Sequence, residues 1–468
     1  MSTLSKIVAI VHKTREVVVV QSVLLAVTVL ATLASNVEAA NPDLRNIESN
    51  QAWGRTAPAG TTSELLKRPA TMTTDSPYLA NNDAPILPFE IAVADADIED
   101  LKRRLANTRL PDQIDNTSWE YGTDISYLKE LLDYWQNDFD WRQQETQLNQ
   151  FDQFKTEVNG LEMHFVHQRS ANPDAIPLMI VHGWPGSFSE FSNIIGPLVD
   201  PVSHGDDITD SFHVVAPSLP GFGFSGKPTQ PGYSPEKMAH ILAALMEKLG
   251  YERYAIAGGD WGAIINRHLA NNYPQRLIGL HSNMILASAP ADAEARSNVT
   301  ETESTLRAAR GAYMENERAY QQIQGTKPQS LGYGLNDSPA GLAAWIIEKF
   351  HAWTDMPQGS NGYLDNHFNK DELLTNISIY WFTQTITSSA RIYYENSKTP
   401  VAKPMEYINV PTGAAIFPTE IFITPKAWAE ASYDLRHWTV MERGGHFAAL
   451  EQPQLYLKDL REFFRLLR

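Results

Sequence analysis

The stretch Gly258-Gly259-Asp260-Trp261-Gly262 decides the fold, because it joins a short apolar run to a helical pattern. Residues 254–257 before it read Tyr-Ala-Ile-Ala, and apolar residues recur at helical spacing after it. Small residues on both sides of a central polar residue suit a sharp strand-to-helix turn, in which the central residue is held in a strained conformation. The sequence therefore predicts a turn that presents the Asp260 side chain at the end of a buried strand.

Strand-like and helical patterns alternate on both sides of this turn. The predicted strands are residues 161–167, 177–181, 212–215, 254–257 and 277–280. From about residue 291 to 400 the pattern becomes helical, most clearly at 342–350 and 373–396, and strand-like segments return at 407–410 and 437–441. Such alternation indicates a mostly parallel sheet covered on both faces. We therefore expect an α/β domain that is interrupted by a helical insertion.

The N-terminal 40 residues differ from the rest of the chain. Lys6, Lys13 and Arg15 precede a mostly apolar run at residues 17–34, and small residues follow up to Ala40. This order is typical of a signal peptide that is cleaved after Ala39 or Ala40, which predicts export to the periplasm or the medium. The alternative is a retained membrane anchor, since the run is nearly long enough to span a bilayer.

The remaining patterns predict five further parts. Residues 41–86 have no apolar period and indicate a linker. Residues 87–150 form an N-terminal helical segment, with one helix capped by Asp97 and a second at 125–138. The first part of the sheet domain is 151–290, the helical lid is 291–403, and the second part of the domain is 404–468.

Composition excludes several kinds of function. The net charge of −17 argues against binding to nucleic acid, and 43% hydrophobic residues are ample for a large core. The chain has no cysteine, which excludes disulfides, thiolate zinc sites and a cysteine nucleophile. The sequence offers no clustered ligand set either, so we expect neither a metal nor a cofactor. Composition does not indicate an oligomeric state.

An aspartate at the centre of the turn has a chemical meaning. A serine that attacked an alkyl carbon would leave an ether, whereas a carboxylate such as Asp260 leaves an ester that water can hydrolyse. The residue therefore points to substitution at carbon, which means opening an epoxide or displacing a halide.

Hydrolysis of that ester requires a base, and enzymes with this turn place the acid and then the histidine after the nucleophile in the chain. His446 follows the last predicted strand within Arg443-Gly444-Gly445-His446-Phe447. Glu420 follows the strand that resumes after the insertion, so it is the predicted acid; Asp434 is the competing candidate. We expect His182 to support its loop and His268 to be structural.

The oxyanion of the second step requires hydrogen-bond donors. The backbone N–H of Trp261, next to the nucleophile, is one candidate. The turn His182-Gly183-Trp184-Pro185 supplies the other from the N–H of Trp184.

These motifs together resemble the microsomal-type epoxide hydrolases, which include the insect juvenile-hormone enzymes and have the α/β-hydrolase fold. The resemblance runs from Pro88 through Arg461. It rests on residues 182–187 (HGWPGS), 258–262 (GGDWG), 335–339 (LNDSP), 417–420 (FPTE) and 443–449 (RGGHFAA). It implies that two lid tyrosines hold and protonate the epoxide oxygen, and the motifs place them at Tyr320 and Tyr393. The family's acid falls on Glu420. Tyr313 and Tyr394 lie close to the two tyrosine motifs.

Rival functions remain. A haloalkane dehalogenase shares the Asp-Trp turn, but it commonly has Asn where this chain has Trp184 and gains nothing from two phenols. A non-catalytic binding protein on this fold typically lacks a member of the triad. An esterase would have Ser in place of Asp260. The favoured partner is an apolar epoxide, because the predicted lid contains Leu, Phe and Trp.

Overall fold

The computed structural model describes residues 84–356, 364–400, 402 and 405–468. The predicted signal or anchor segment and nearly all of the predicted linker lie outside these residues. Within them, no helix has both the length and the apolar character that a membrane crossing requires.

Nine strands of the described residues form one mostly parallel sheet. They are β1 (Leu87–Pro88), β2 (Gln153–Val158), β3 (Leu161–Gln168), β4 (Ile176–Val181), β5 (Phe212–Pro217), β6 (Tyr254–Gly258), β7 (Leu277–Ser282), β8 (Ile408–Ile416) and β9 (Tyr433–Val440). The order is β1-β2-β3-β5-β4-β6-β7-β8-β9. The pairs up to β3–β5 are antiparallel, and the pairs from β5–β4 onward are parallel. This confirms the predicted α/β class.

The sequence did not indicate β1 and β2. The strand β1 lies at the start of residues 87–150, which were predicted to be a helical segment. The strand β2 lacks a plain apolar alternation, because two of its buried residues, Gln153 and Thr156, are polar. The Gln153 side chain is satisfied by the Leu148 carbonyl at 2.9 Å and by the His164 ring at 2.9 Å. A buried polar residue with such partners is stable but hides the strand period.

Three helices form the N-terminal segment: α1 (Asp95–Ala106), α2 (Ile125–Asn137) and α3 (Trp141–Leu148). The prediction that Asp97 caps the first helix is wrong, because α1 begins two residues earlier. Asp97 lies in its first turn instead, where a carboxylate also interacts favourably with the helix dipole. Asp124 caps α2 by accepting from the N–H groups of Ser126 and Tyr127. The Trp135 indole on α2 donates to Ser378 of the lid at 3.1 Å.

The first part of the sheet domain carries α4 (Ser192–Val199), α5 (Pro235–Lys248) and α6 (Asp260–Asn272). The lid consists of α7 (Ala293–Ser297), α8 (Glu301–Glu317), α9 (Ala319–Thr326), α10 (Pro328–Leu335), α11 (Pro339–Trp353), α12 (Lys370–Thr383) and α13 (Ile386–Lys398). The last described helices are α14 (Lys426–Glu430), α15 (Ala448–Glu451) and α16 (Pro453–Arg465).

The helical piece predicted at 373–396 is two helices. The residue Gln384, with φ of +53°, lies in the left-handed region and ends α12. Its N–H still bonds to the carbonyls of Tyr380 and Trp381, so the turn leaves no unsatisfied donor there. The break redirects the chain so that α12 packs on the N-terminal helices while α13 packs on α9 and α10.

Candidate active site

Close main-chain packing fixes the conformation of residues 258–262, the turn predicted to carry the nucleophile (here the nucleophile turn). Asp260 is the first residue of α6, directly after β6, and its φ of +45° is unusual for a residue with a side chain. A Cβ atom on Gly262 would lie 2.0 Å from the Val181 carbonyl oxygen, so α6 can approach β4 this closely only with glycine there. The turn therefore holds the Asp260 carboxylate at the carboxyl end of the parallel strands, where open α/β sheets bind ligands.

The loop after β4 meets this carboxylate. The Trp184 N–H donates to Asp260 Oδ1 at 2.7 Å. A Cβ atom on Gly183 would lie 2.1 Å from the same oxygen, so glycine is required at this approach too. Trp261 is the second residue of α6, and the N–H groups of a helix's first turn have no acceptor within the helix. Of the two N–H groups predicted to stabilise the oxyanion, that of Trp184 contacts the Asp260 carboxylate, and that of Trp261 belongs to the first turn of α6.

The structure brings His446 between two carboxylates. Its Nδ1 lies 2.6 Å from Glu420 Oε1, and its Nε2 lies 3.4 Å from Asp260 Oδ2. The competing acid, Asp434, lies within β9 and forms an ion pair with Arg436 at 2.6 Å. Glu420 is therefore the acid that the geometry places beside the histidine.

The lid fixes the loop that carries His446. The N–H of His446 donates to the carbonyl of Trp353, the last residue of α11, at 3.0 Å. Asp355, two residues later, accepts from the N–H of Gly444 at 2.9 Å. The imidazole also packs edge-on against the Trp353 indole, with the ring centres 5.0 Å apart.

The loop that carries the acid is also tied to the lid. Arg310 on α8 donates to the main-chain carbonyls of Glu420, at 3.1 Å, and of Thr419. Within its own loop, Glu420 Oε1 accepts from the N–H of Ile421 at 2.6 Å. The loops that carry His446 and Glu420 therefore both depend on contacts with the insertion.

The two carboxylates change the basicity of His446. Burial alone would lower its pKa, but the charges of Glu420 and Asp260 and their hydrogen bonds outweigh burial and raise the pKa to about 10. The imidazolium is therefore the stable form at neutral pH as long as both carboxylates are ionised.

Tyr320 and Tyr393 reach the same site from the lid, on α9 and α13. Their side chains are only 2% and 7% exposed, and their ring centres lie 5.7 Å apart. Tyr320 stacks on Trp184 at 5.4 Å, and Tyr393 meets Trp261 edge-on at 4.7 Å. Aromatic packing against the two tryptophans beside Asp260 thus orients both phenols.

The phenol hydroxyls differ in their partners. Tyr320 Oη accepts from the Gln321 amide at 3.0 Å, whereas the buried Tyr393 hydroxyl has no hydrogen-bond partner among the described residues. Burial and the negative charge of Asp260 both raise the pKa of Tyr320, and the same two effects raise that of Tyr393. Both phenols therefore remain protonated at neutral pH and can donate to an oxygen atom of a ligand.

The neighbouring tyrosines lie elsewhere. The Tyr313 hydroxyl donates to the Ala352 carbonyl at 2.7 Å, and Tyr394 is 38% exposed. His182 is buried; its Nε2 accepts from the Leu219 N–H at 3.2 Å, which holds the loop next to Trp184. His268 lies within α6, and burial lowers its pKa to about 4.

Besides Arg310 and Asp355, two further charged residues near the site were not predicted from the sequence. Lys349 on α11 is buried, lies 4.8 Å from the ring centre of Tyr320, and pairs with Glu348 at 2.5 Å. Glu190 follows the loop after β4 and lines a small cavity with Asp260. In the sequence, the only indication of a role for either residue is a charge within an apolar or glycine-rich stretch. Charged residues are more often exposed than buried, so this indication is weak.

Comparisons with known proteins agree with this arrangement. Residues 86–191 match the family model described as epoxide hydrolase N terminus, and residues 176–318 match the alpha/beta hydrolase fold. The chain is 39% identical to epoxide hydrolase 1 of Sus scrofa over 418 residues, which covers 83% of this chain and 90% of that protein.

Solved structures give the same result. The juvenile hormone epoxide hydrolase of Bombyx mori is 33% identical, with a TM-score of 0.75, and the match covers 82% of this chain and 95% of that one. The epoxide hydrolase of Aspergillus niger is 30% identical, with a TM-score of 0.72 and coverage of 82% and 97%. With this identity over most of both chains, the protein belongs to the epoxide hydrolases of the α/β-hydrolase fold.

Proposed function

We propose that this epoxide hydrolase works through a covalent ester on Asp260, with Tyr320 and Tyr393 as acids and His446 and Glu420 as the water-activating pair. One observation carries the proposal: the Asp260 carboxylate lies between the Trp184 N–H at 2.7 Å and His446 Nε2 at 3.4 Å, beneath two buried phenols.

In the first step, a carboxylate oxygen of Asp260 attacks an epoxide carbon, and the bond from that carbon to the epoxide oxygen breaks. The oxygen takes a proton from Tyr320 or Tyr393, which leaves a hydroxyalkyl ester and a tyrosinate. A phenol suits this task because it is protonated at neutral pH yet can stabilise a developing alkoxide.

The ester changes His446. Once Asp260 is esterified, it no longer contributes a negative charge or a charged hydrogen bond, so only Glu420 opposes the effect of burial on the imidazole pKa. The pKa of His446 therefore falls when the ester forms. The proton that the imidazolium releases restores the tyrosinate to phenol, and the neutral imidazole that remains is a competent base.

In the second step, His446 takes a proton from water, and the water oxygen attacks the ester carbonyl carbon of Asp260. The N–H groups of Trp184 and Trp261 stabilise the oxyanion. Collapse of the tetrahedral intermediate expels the diol oxygen. That oxygen takes the second water proton, which the collapse leaves on the Asp260 carboxyl group. Asp260 thus returns to a carboxylate beside an imidazolium, and the cycle is balanced.

We also propose an apolar epoxide as the substrate. The tyrosines are surrounded by buried aromatic residues, Trp184, Trp261 and Trp353, and such walls favour a ligand with little polar surface. Aromatic, terpenoid and lipid epoxides all have this character. An assay panel with one member of each class would rank them.

Export remains a separate proposal. It rests on the order of basic, apolar and small residues within 1–40. Mass spectrometry of the mature protein tests it, since cleavage gives a chain that begins at Ala40 or Asn41, and an intact start supports the anchor instead.

The experiment on mechanism uses the protein from residue 41 onward and the matched variant Asp260→Asn, with styrene oxide as the first epoxide. The wild type should convert styrene oxide to 1-phenylethane-1,2-diol. The rate of diol formation by the variant should be at least about 10⁴-fold lower, because the amide cannot form the alkyl-enzyme ester. Mass spectrometry of the acid-quenched wild type should place the added mass on the peptide that contains Asp260. Diol formation at the normal rate by the variant would exclude Asp260 as the nucleophile. A haloalkane serves as the control substrate for the rival reaction, displacement of a halide.

A further inference from the structure

The small cavity that Glu190 lines with Asp260 lies beside the proposed nucleophile. Its walls include Glu190, Asp260, His446, Asn283 and Tyr456. Its volume is about 10 Å³, near the minimum that one water molecule needs. A single water there would lie against both the carboxyl group that forms the ester and the imidazole that activates water.

The walls of this cavity are polar where a water needs partners. The Tyr456 side chain is 1% exposed, and its hydroxyl has no hydrogen-bond partner among the described residues. Burial raises the pKa of Glu190 to about 8, while the positive charge of His446 opposes that effect. A carboxyl group can accept from water in either protonation state, so Glu190 is a partner at any working pH.

Glu190 also lines a larger cleft on its other side. This cleft has a volume of about 480 Å³ and lies between the loop after β4, the helix α3 and the start of α12. Its walls are mostly polar and include Gln144, Gln147, Gln150, Ser189, Ser192 and Asn193. Of the walls of the small cavity, only Glu190 is shared with the cleft, so it separates the two spaces.

We propose that Glu190 positions the water that hydrolyses the ester, and that this water enters from the polar cleft rather than past the apolar lid aromatics. Glu190 is thus a positioning residue, which acts through the water and through His446. The proposal rests on the roles given above to Asp260 and His446.

The chemistry of the step is unchanged by this assignment. One water hydrogen is directed to His446 Nε2, which removes it, and the other is directed to Glu190. The oxygen then attacks the Asp260 carbonyl carbon. Neither Tyr320 nor Tyr393 lines the small cavity or the cleft that Glu190 borders, so we expect the first step not to depend on Glu190.

The test separates the two steps by single-turnover kinetics with excess enzyme and styrene oxide, with the alkyl-enzyme followed by quenched mass spectrometry. In Glu190→Leu, ester formation should stay within about twofold of the wild type, while ester hydrolysis should slow by about tenfold or more, because leucine offers the water no hydrogen-bond acceptor. The alkyl-enzyme should therefore accumulate.

Gly186→Ala provides an independent variant that keeps the charge. Its Cβ atom would lie 2.6 Å from Glu190 Oε2, so the carboxyl group must move. Hydrolysis should again slow selectively. Asp371→Asn is the control for charge alone: Asp371 lies on the outer wall of the cleft and accepts from the Tyr134 hydroxyl at 2.9 Å, a bond that Asn keeps. Both of its rates should equal those of the wild type.

The inference would be overturned by hydrolysis at the wild-type rate in both Glu190→Leu and Gly186→Ala. An equal loss in both steps would also overturn it, because that result would indicate a structural role. An equal loss of hydrolysis in Asp371→Asn would also overturn it, because charge at a distance would then explain the effect. Failure of the underlying mechanism is distinguishable, since in that case the wild type itself forms no ester on Asp260.

Discussion

The nucleophile turn and the lid hold their functional groups in different ways. At the turn, Asp260 is fixed by its own main chain, with φ of +45° and a neighbouring glycine packed directly on β4. In the lid, Tyr320 and Tyr393 lie on ordinary helices and are oriented by ring contacts with tryptophans of the sheet domain.

The comparison teaches where precision comes from in this enzyme. A strained turn needs particular residues at consecutive positions, so a substitution there acts on the fold. The hydroxyl group of a tyrosine that is held by ring packing can be removed without loss of the fold, because phenylalanine keeps the ring and most of its contacts. We therefore expect changes in the turn to affect stability and changes in the lid to affect chemistry.

The largest effect should come from the double variant Tyr320→Phe with Tyr393→Phe. Ester formation should fall by at least about 10⁴-fold, because no acid remains to protonate the epoxide oxygen, and each single variant should lose about 10²-fold. Rapid-quench measurement of the alkyl-enzyme tests this, with the melting temperature as the control. Ester formation at the normal rate in the double variant would remove the tyrosines from their role.

A smaller effect should appear at the turn. In Gly262→Ala the new Cβ atom would lie 2.0 Å from a main-chain oxygen that cannot move aside, so we expect a loss of about 3 kcal/mol or more in the free energy of unfolding. The matched control is Gly311→Ala in α8, where a Cβ atom meets nothing within 4 Å. It should gain up to about 1 kcal/mol, since alanine favours a helix. Equal denaturation midpoints for the two variants would show that the packing of Gly262 on β4 does not determine stability.

The smallest effect concerns the acid that supports the histidine. In Glu420→Gln, ester hydrolysis should slow by about 10²-fold while ester formation changes little. The variant also lacks one of the two carboxylate charges that outweigh burial, so the pKa of His446 should fall below its wild-type value of about 10. An NMR titration of the imidazole measures the shift, and an unchanged pKa would show that Glu420 does not control His446.

The same pKa gives the sign of a pH effect on stability. The folded-state pKa of His446, about 10, exceeds the value of about 6.5 in an unfolded chain. The imidazolium therefore contributes its full stabilisation below pH ~6.5, and this is lost as pH rises through about 10. In Glu420→Gln the folded-state pKa is lower, so the total stabilisation should be smaller and its loss should be complete at a lower pH, which thermal unfolding between pH 6 and 10 would detect.

The sequence allowed the nucleophile turn to be predicted because its requirements are local. Gly258, Asp260 and Gly262 satisfy steric conditions that involve consecutive residues, and the strands around them are continuous apolar runs. The fold class followed from the same runs and is confirmed. The tyrosines came only from the family resemblance, because no local pattern distinguishes Tyr393 from the adjacent Tyr394.

Features that depend on tertiary contacts were not predictable. The strand β2 hides its period behind buried polar residues whose partners lie elsewhere in the chain. The break at Gln384 divides a run that reads as one helix, and Gln is not a residue that normally marks a left-handed turn. Glu190 became notable only once the fold placed it between the polar cleft and the cavity beside Asp260.

The bonds between the lid and the catalytic loops bear on how such enzymes can be recombined. Trp353 and Asp355 hold the loop of His446, and Arg310 holds the loop of Glu420. An insertion transplanted from a relative would bring new walls for the substrate, but it would also bring new supports for the base and its acid. The lid therefore cannot be exchanged by itself. A working chimera needs a donor lid whose residues at these three positions still form the hydrogen bonds to the two recipient loops.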